Sequence, residues 1–310
     1  MGKKYFCTSD IHGYFDIFHD ALIEAGFDEN NPDHVLIVCG DIFDRGKQPL
    51  EVYNYLRSLP IERRVLVRGN HEELLKNLVK REKPLNHDFH NGTYQTLYMF
   101  LGLDYEKEKA EKFKRWTSIP WDDFEARDKF KAKEDKRQAK IDHKLFHNKK
   151  LKEILKWLNS DEWVPYYKLG PYIFIHAGLP VVASGDQYTV LDIRKDWDSK
   201  ESWRDDAWAD AMWVCPYNFY LTHRDDPILK DKILVVGHWH TSDFWNVLED
   251  KDYDTYEKNP IFISEKYPGL IGVDACTAAT HGCNILVINE DMSLEPHNHD
   301  EENLDYVNLE

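Results

Sequence analysis

The chain has 310 residues, 42% hydrophobic and 31% charged, with a formal net charge of −16. That length suffices for one large domain with a substantial core. The acidic balance argues against broad or stable binding to nucleic acid backbones, which requires many cations to displace counterions. A small phosphorylated substrate held by local cations or metals stays compatible with it.

The start, "MGKKYFCTSD", has no apolar stretch long enough for a signal peptide, and no later segment approaches a membrane span. Phe6 stands where a myristoylation signal needs Ser or Thr. Five cysteines (Cys7, Cys39, Cys215, Cys276 and Cys283) show no CxxC spacing and read as reduced thiols. The expectation is a cytoplasmic protein without a membrane partner.

In chain order, "KKYFCTSD", "HVLIVCGD", "RRVLVRGN", "PYIFIHAG" and "KILVVGHWH" are short runs of Val, Ile, Leu, Phe and Tyr. Each predicts a buried strand. Between the first three, "FDIFHDALIEAGF" and "PLEVYNYLRSL" repeat their apolar residues at helical spacing, which predicts βαβαβ with parallel strands. Residues 73–160 turn long, charged and helical, as in "EARDKFKAKEDKRQAKIDHKLFHNKKLKEILKWL". They read as a solvated helical insertion within a single domain spanning 1–310; acidic residues interrupt the lysines, against a nucleic-acid-binding arm. Residues 295–310 read as a frayed acidic tail.

The strand ends form a pattern. The first run ends in Asp10, followed by His12; the second in Asp41; the third in Asn70; the fourth in His176; the fifth in His238 and His240. Taken singly, each is more often a cap, a turn former or a satisfied polar group: Asp41 and Asp44 could close a turn, and Asn70 could cap the following helix. In open α/β sheets, however, sites form beyond the carboxyl ends of strands, so these side chains can meet in one crevice. Imidazoles and carboxylates together suit Mn, Fe or Zn. The candidates outnumber what one ion needs, and two divalent ions sharing a bridging carboxylate fit better. On an extended segment His238 and His240 would point to the same side, with Trp239 facing away.

The motifs "SDIHG", "GDIFDRG", "RGNHE", "IHAGL" and "GHWHT", in this order, resemble those of calcineurin-like metallophosphoesterases. The second and third are similar to the phosphoprotein phosphatase (serine/threonine phosphatase) branch of bacterial type. There is a weaker echo in "NGTYQTL" and "LIGVDACTAATHGCNILVI". The resemblance implies an α/β fold, a sandwich of two mixed β-sheets flanked by helices, with a dinuclear site at one edge. It implies Asp10, His12 and His240 on a first metal, Asn70, His176 and His238 on a second, and Asp41 between them. It further implies that Arg45 and Arg68 fork onto phosphate oxygens, and that His71, oriented by Asp44, protonates the leaving alkoxide.

Two departures bear on substrate: Cys215 stands where a further arginine is common, which leaves open whether Arg204 or Arg224 replaces it, and "GHWHT" replaces "GHTP"; "HAG" in place of the frequent "HGG" decides little. The expected activity is hydrolysis of phosphomonoesters, on a phosphorylated protein or a small phosphoester. The alternative is a dinucleoside polyphosphate hydrolase or phosphodiesterase, for which aromatics in "DAWADAMWVCPYNFYL" could stack on a base. A metal-bound interaction protein without turnover is disfavoured, because no expected ligand or acid is absent. Oligomeric state is not encoded legibly.

Overall fold

The computed structural model describes residues 2–184, 190–204 and 206–300. Thirteen strands are described: β1 (Lys4–Thr8), β2 (His34–Cys39), β3 (Arg64–Val67), β4 (Trp163–Val164), β5 (Tyr167–Leu169), β6 (Tyr172–Phe174), β7 (Val181–Ser184), β8 (Val190–Ile193), β9 (Ile233–Val236), β10 (Phe262–Ile263), β11 (Leu270–Gly272), β12 (Gly282–Ile288) and β13 (Leu294–Asp300). The α-helices are α1 (Phe15–Glu24), α2 (Pro49–Ser58), α3 (Asn70–Arg81), α4 (Asn86–His90), α5 (Thr93–Met99), α6 (Tyr105–Thr117), α7 (Phe124–Phe146), α8 (Lys149–Leu158), α9 (Asp206–Ala211), α10 (Pro216–His223), α11 (Thr241–Glu249) and α12 (Thr277–Thr280).

Two mixed sheets dominate. The first runs β13-β12-β1-β2-β3-β4 and the second β10-β11-β9-β6-β5, while β7 and β8 form a separate ribbon. All five strands expected from the apolar runs are present. β1, β2 and β3 lie parallel and adjacent, joined by α1 and α2, as right-handed crossovers require. β6 and β9 are parallel neighbours in the second sheet.

Strand alternation sorts the core into layers. Phe6, Leu36, Val38 and Leu66 face α1, α2 and the inner helices, whereas Cys7, Ile37, Cys39 and Val67 face the second sheet. There they meet Phe174, Val235 and Ile271. The other face of the second sheet presents Ile173, Leu234 and Val236 to Trp208, Tyr217, Phe219 and Phe244. Strands covered on both faces read as continuous apolar runs, which is why "HVLIVC" is apolar nearly throughout.

Residues 73–160 divide into two parts. Tyr94, Leu97 and Tyr98 of α5, the last turn of α7, and Leu151, Ile154, Trp157 and Leu158 of α8 join the first core layer. By contrast, α6 buries no residue, and Phe113 on it is 67% exposed.

The expected acidic tail does not begin at 295. β13 pairs antiparallel with β12 from Leu294 opposite Ile288 to Asp300 opposite Gly282. The backbone groups of β12 need a partner whatever side chains that partner carries, and an edge strand tolerates Pro296. Residues 301–310 of the expected tail lie outside the described residues. No helix among the described residues is long and apolar enough to cross a membrane.

Phe174→Ala should cost about 3–5 kcal/mol, because this fully buried ring lies between the sheets. Phe113→Ala should stay within about 0.5 kcal/mol. Chemical denaturation of both variants checks the layer assignment.

Candidate metal centre

The loops after β1 and β2 are zipped together by backbone hydrogen bonds. The N–H groups of Asp10, His12 and Gly13 donate to the carbonyls of Gly40, Asp41 and Ile42 at 3.1, 2.9 and 2.9 Å, and Gly46 N–H returns to His12 O at 2.7 Å. Asp10, His12, Asp41, Asp44, Arg45 and His238 all have positive φ, between 48° and 73°. Asp and His tolerate this region better than most residues, yet each such conformation costs about 1–3 kcal/mol and persists only where its surroundings impose it.

Glu72 supplies a further brace. Its buried carboxyl accepts the N–H groups of Asp41 and Gly69 on Oε2 and of Ile42 on Oε1, at 2.9 to 3.0 Å. Burial and the nearby Asp41 push its pKa up to about 7 against the pull of those N–H donors. Motif glycines admit the close backbone approaches. A Cβ at Gly69 would overlap Asp41, and one at Gly237 would overlap Ser9 and Asp10 Oδ2.

Asp41 sits at the centre. Its Oδ1 accepts the His71 N–H at 2.9 Å, leaving Oδ2 3.4 Å from His176 Nε2 and 3.9 Å from the Nε2 atoms of both His12 and His71. His12 Nδ1 donates to Phe43 O at 2.9 Å and His176 Nδ1 to Cys39 O at 2.7 Å, which turns both Nε2 atoms inward. Asp10 Oδ2 accepts the His238 N–H at 2.9 Å and the Ser9 hydroxyl, while its Oδ1 lies 3.8 Å from His12 Nε2. Asn70 does not cap α3, whose N-cap is Gly69; its Oδ1 accepts from His176 Nε2 at 2.7 Å.

Among the described residues, two groupings bring ligand-type atoms within 4.8 Å of one another: His12 with Asp41 and His71, and Asp41 with His176 and His238. Asp41 belongs to both.

The electrostatics suit cations. Burial, then Asp274 and Asp41, hold the Asp10 pKa well above the usual carboxylate range. Burial would lower His176, but Asp41 and Asp10 raise it to about 10. A pocket that binds a proton this tightly there attracts a divalent ion as well. Burial and then His176 push His238 down to about 3, and burial and then Arg45 hold His12 well below 6.5; both rings are neutral, the form that binds metal.

His71 Nδ1 meets Asp44 Oδ2 at 2.7 Å. Burial opposes its protonation, but Asp41 and Asp44 outweigh it and the pKa rises. Arg45 is exposed, yet its charge is felt by His12, Tyr14, His71 and Cys276. Arg68 is half-buried, its Nη1 donating to Trp203 O at 3.2 Å.

His240 stands apart. β9 ends at Val236 and His238 has φ 68°, so the segment is not extended and the expected alternation does not carry His240 inward. Instead His240 is the half-buried N-cap residue of α11. Trp239 packs edge-on against Tyr217 at 5.7 Å. Arg224 ends α10 beside Asp225, and the Arg204 side chain lies outside the described residues.

Residues 3–242 match the family model of the calcineurin-like phosphoesterases. The chain belongs to that family. It is 21% identical over 282 residues to a symmetrical bis(5'-nucleosyl)-tetraphosphatase of Glaesserella parasuis serovar 5 (strain SH0165), covering 76% of this chain and 83% of the relative. Its fold is similar to that of a protein serine/threonine phosphatase from Saccharomyces cerevisiae, with TM-score 0.53 and 14% identity over 98% of this chain and 82% of the other. It is also similar to a mutant cold-active protein tyrosine phosphatase, with TM-score 0.52 and 15% identity over 96% and 81%. These likenesses concern the fold.

The family implies divalent metal ions, and the site of this calcineurin-like phosphoesterase fits them: inward Nε2 atoms, a shared carboxylate and an amide oxygen are donors for a borderline cation. Sequence reading missed the brace Glu72, although it lies inside "RGNHE". It also missed Asp274, buried near Asp10, and Thr93 and Thr96, whose hydroxyls donate to Asp44 at 2.7 and 2.8 Å. The only signals for these three were the faint echoes in "LIGVDACTAATHGC" and "NGTYQTL".

Gly237→Ala should displace Asp10 and weaken metal binding by about 10- to 100-fold, a loss that titration calorimetry of the chelated protein with Mn²⁺ measures.

Proposed function

We propose that this phosphoesterase hydrolyses phosphomonoesters with two divalent ions per chain, as a serine/threonine phosphatase-like enzyme. The observation that carries this reading is the position of Asp41 Oδ2, faced at 3.4 to 3.9 Å by the Nε2 atoms of His176, His12 and His71. Asp10, His12 and His240 would hold the first ion and Asn70, His176 and His238 the second, with Asp41 shared by both. When bound, the ions supply Lewis acidity toward the phosphoryl oxygens and lower the pKa of a water.

The chain's own groups do the rest. Arg45 and Arg68 orient the phosphate by forked hydrogen bonds that a lysine could not reproduce. His71, held through Nδ1 by Asp44, presents Nε2 to the leaving oxygen and donates its proton there. The neutral imidazoles of His12 and His238 leave their lone pairs for coordination.

A second reading, hydrolysis of dinucleoside polyphosphates, is supported by the named tetraphosphatase relative and by Trp213. This residue is 51% exposed and stands edge-on to His238 with ring centroids 6.0 Å apart, where a base could stack. Mn²⁺-reconstituted protein should be assayed against a phosphoserine peptide, a dinucleoside tetraphosphate, a phosphodiester and an aryl monophosphate. Highest kcat/KM on the peptide supports the first reading; highest on the tetraphosphate replaces it with the second.

Elemental analysis of active, fully loaded protein should give two ions per chain, and chelation should abolish turnover; one ion in a fully active sample contradicts the bridging role of Asp41. His240→Ala should weaken the first ion and His238→Ala the second. His71→Asn should retain the metals and slow turnover by about 10²- to 10⁴-fold with a poor leaving group, and much less with p-nitrophenolate.

A further inference from the structure

Asp44 is fully buried, and three groups bind its carboxylate. His71 Nδ1 and the Thr93 hydroxyl meet Oδ2, both at 2.7 Å, while the Thr96 hydroxyl donates to Oδ1 at 2.8 Å. Thr96 also lies 3.2 Å from the Gly92 carbonyl, the ordinary backbone acceptor of a helical threonine. A hydroxyl has one proton, and the shorter contact, to the carboxyl oxygen, takes it.

Both threonines are themselves fully buried and come from α5, far from the Asp44 loop in sequence. At i and i+3 they share one helix face. The other face is anchored separately. Gln138 Nε2 of α7 donates to the hydroxyls of Tyr94 and Tyr98 at 2.8 and 3.1 Å, and the Tyr94 hydroxyl donates to Asp142 at 2.5 Å. The loop before α5 is fitted as closely: Gly92 has φ 82°, and a Cβ there would overlap the Arg45 N–H.

We propose that Thr93 and Thr96 are positioning residues for catalysis, fixing the plane of the Asp44 carboxylate and through it the ring of His71. This rests on the reading of His71 as the proton donor to the leaving group. A buried carboxylate bonded on one oxygen alone can rotate about Cβ–Cγ and carry its histidine with it. Two neutral donors stop the rotation without bringing in a second cation to compete for the charge of Asp44. A lysine or arginine in their place would weaken the hold on His71. The same helix, gripped by α7 on its outer side, ties the insertion to the catalytic loop.

The test compares Thr93→Val, Thr96→Val and the double variant with Thr93→Ser/Thr96→Ser, on phenyl phosphate and on p-nitrophenyl phosphate, each with metal content measured. Expected for the double valine variant is a loss in kcat of about 10- to 100-fold on phenyl phosphate, much smaller on p-nitrophenyl phosphate, with metals retained. The serine pair keeps both hydroxyls and should restore most of the loss. If the double variant does not fold, as judged by circular dichroism, the single Thr96→Val decides by the same criterion. Equal losses on both substrates, or full activity, overturn the proposal. His71→Asn in the same assay separates the two claims: leaving-group dependence there but not in the threonine variants overturns the clamp alone, and its absence in His71→Asn overturns the acid role and the clamp together.

Discussion

Negative charge buried at the joint of the two sheets constrains the rest of the molecule. Asp10, Asp41, Asp44 and Asp274 are each at most 3% exposed, and an unpaired buried carboxylate costs several kcal/mol. The chain answers each differently. Asp41 is surrounded by imidazoles that hold its pKa well below the usual range despite burial. Asp44 has a histidine and two hydroxyls. Asp274 Oδ1 accepts the Cys276 N–H at 2.7 Å. Asp10, with hydrogen bonds on Oδ2 and its Oδ1 toward His12, is the group whose burial most favours an added cation.

The site depends on both sheets. Asp10, His12, Asp41 and Asn70 follow strands of the first, whereas His176 and His238 follow β6 and β9 of the second. Cys7, Ile37, Cys39, Phe174 and Val235 pack between them just below the site. Their packing therefore sets the distance between the two sets of side chains, and His176 spans the gap by donating to Cys39 O and Asn70 Oδ1. A shift of one sheet against the other moves His176 and His238 relative to Asp41.

Residues 73–160 contribute to this centre as well as to the surface. Their inner helices complete the first core layer, and α5 reaches Asp44, while α6 and most of α7 stay in solvent. Composition and spacing together separate these two parts: α5 (TYQTLYM) carries no charged residue and α8 places Leu151, Ile154, Trp157 and Leu158 on one face, whereas α6 is rich in charge and has no comparable stripe.

The sequence by itself determined the five principal strands, the parallel βαβαβ opening and the identity of most side chains that converge. The reason is physical: apolar runs predict buried strands, and polar residues repeated at strand ends leave few other places for a site. The carriage of His240, the strand from Leu294 to Asp300 and the roles of Glu72, Thr93 and Thr96 were decided by tertiary structure. His238 has left the extended conformation, at φ 68°, and its N–H is bonded to Asp10 Oδ2, 228 residues earlier, a partner that no local pattern announces. β13 forms because β12 presents unpaired backbone groups, a demand that no side chain of "LEPHNHD" announces. Glu72 and the two threonines act on backbone N–H groups and on a carboxylate that only the packed loops bring within hydrogen-bond reach, and such contacts leave no periodicity in a sequence.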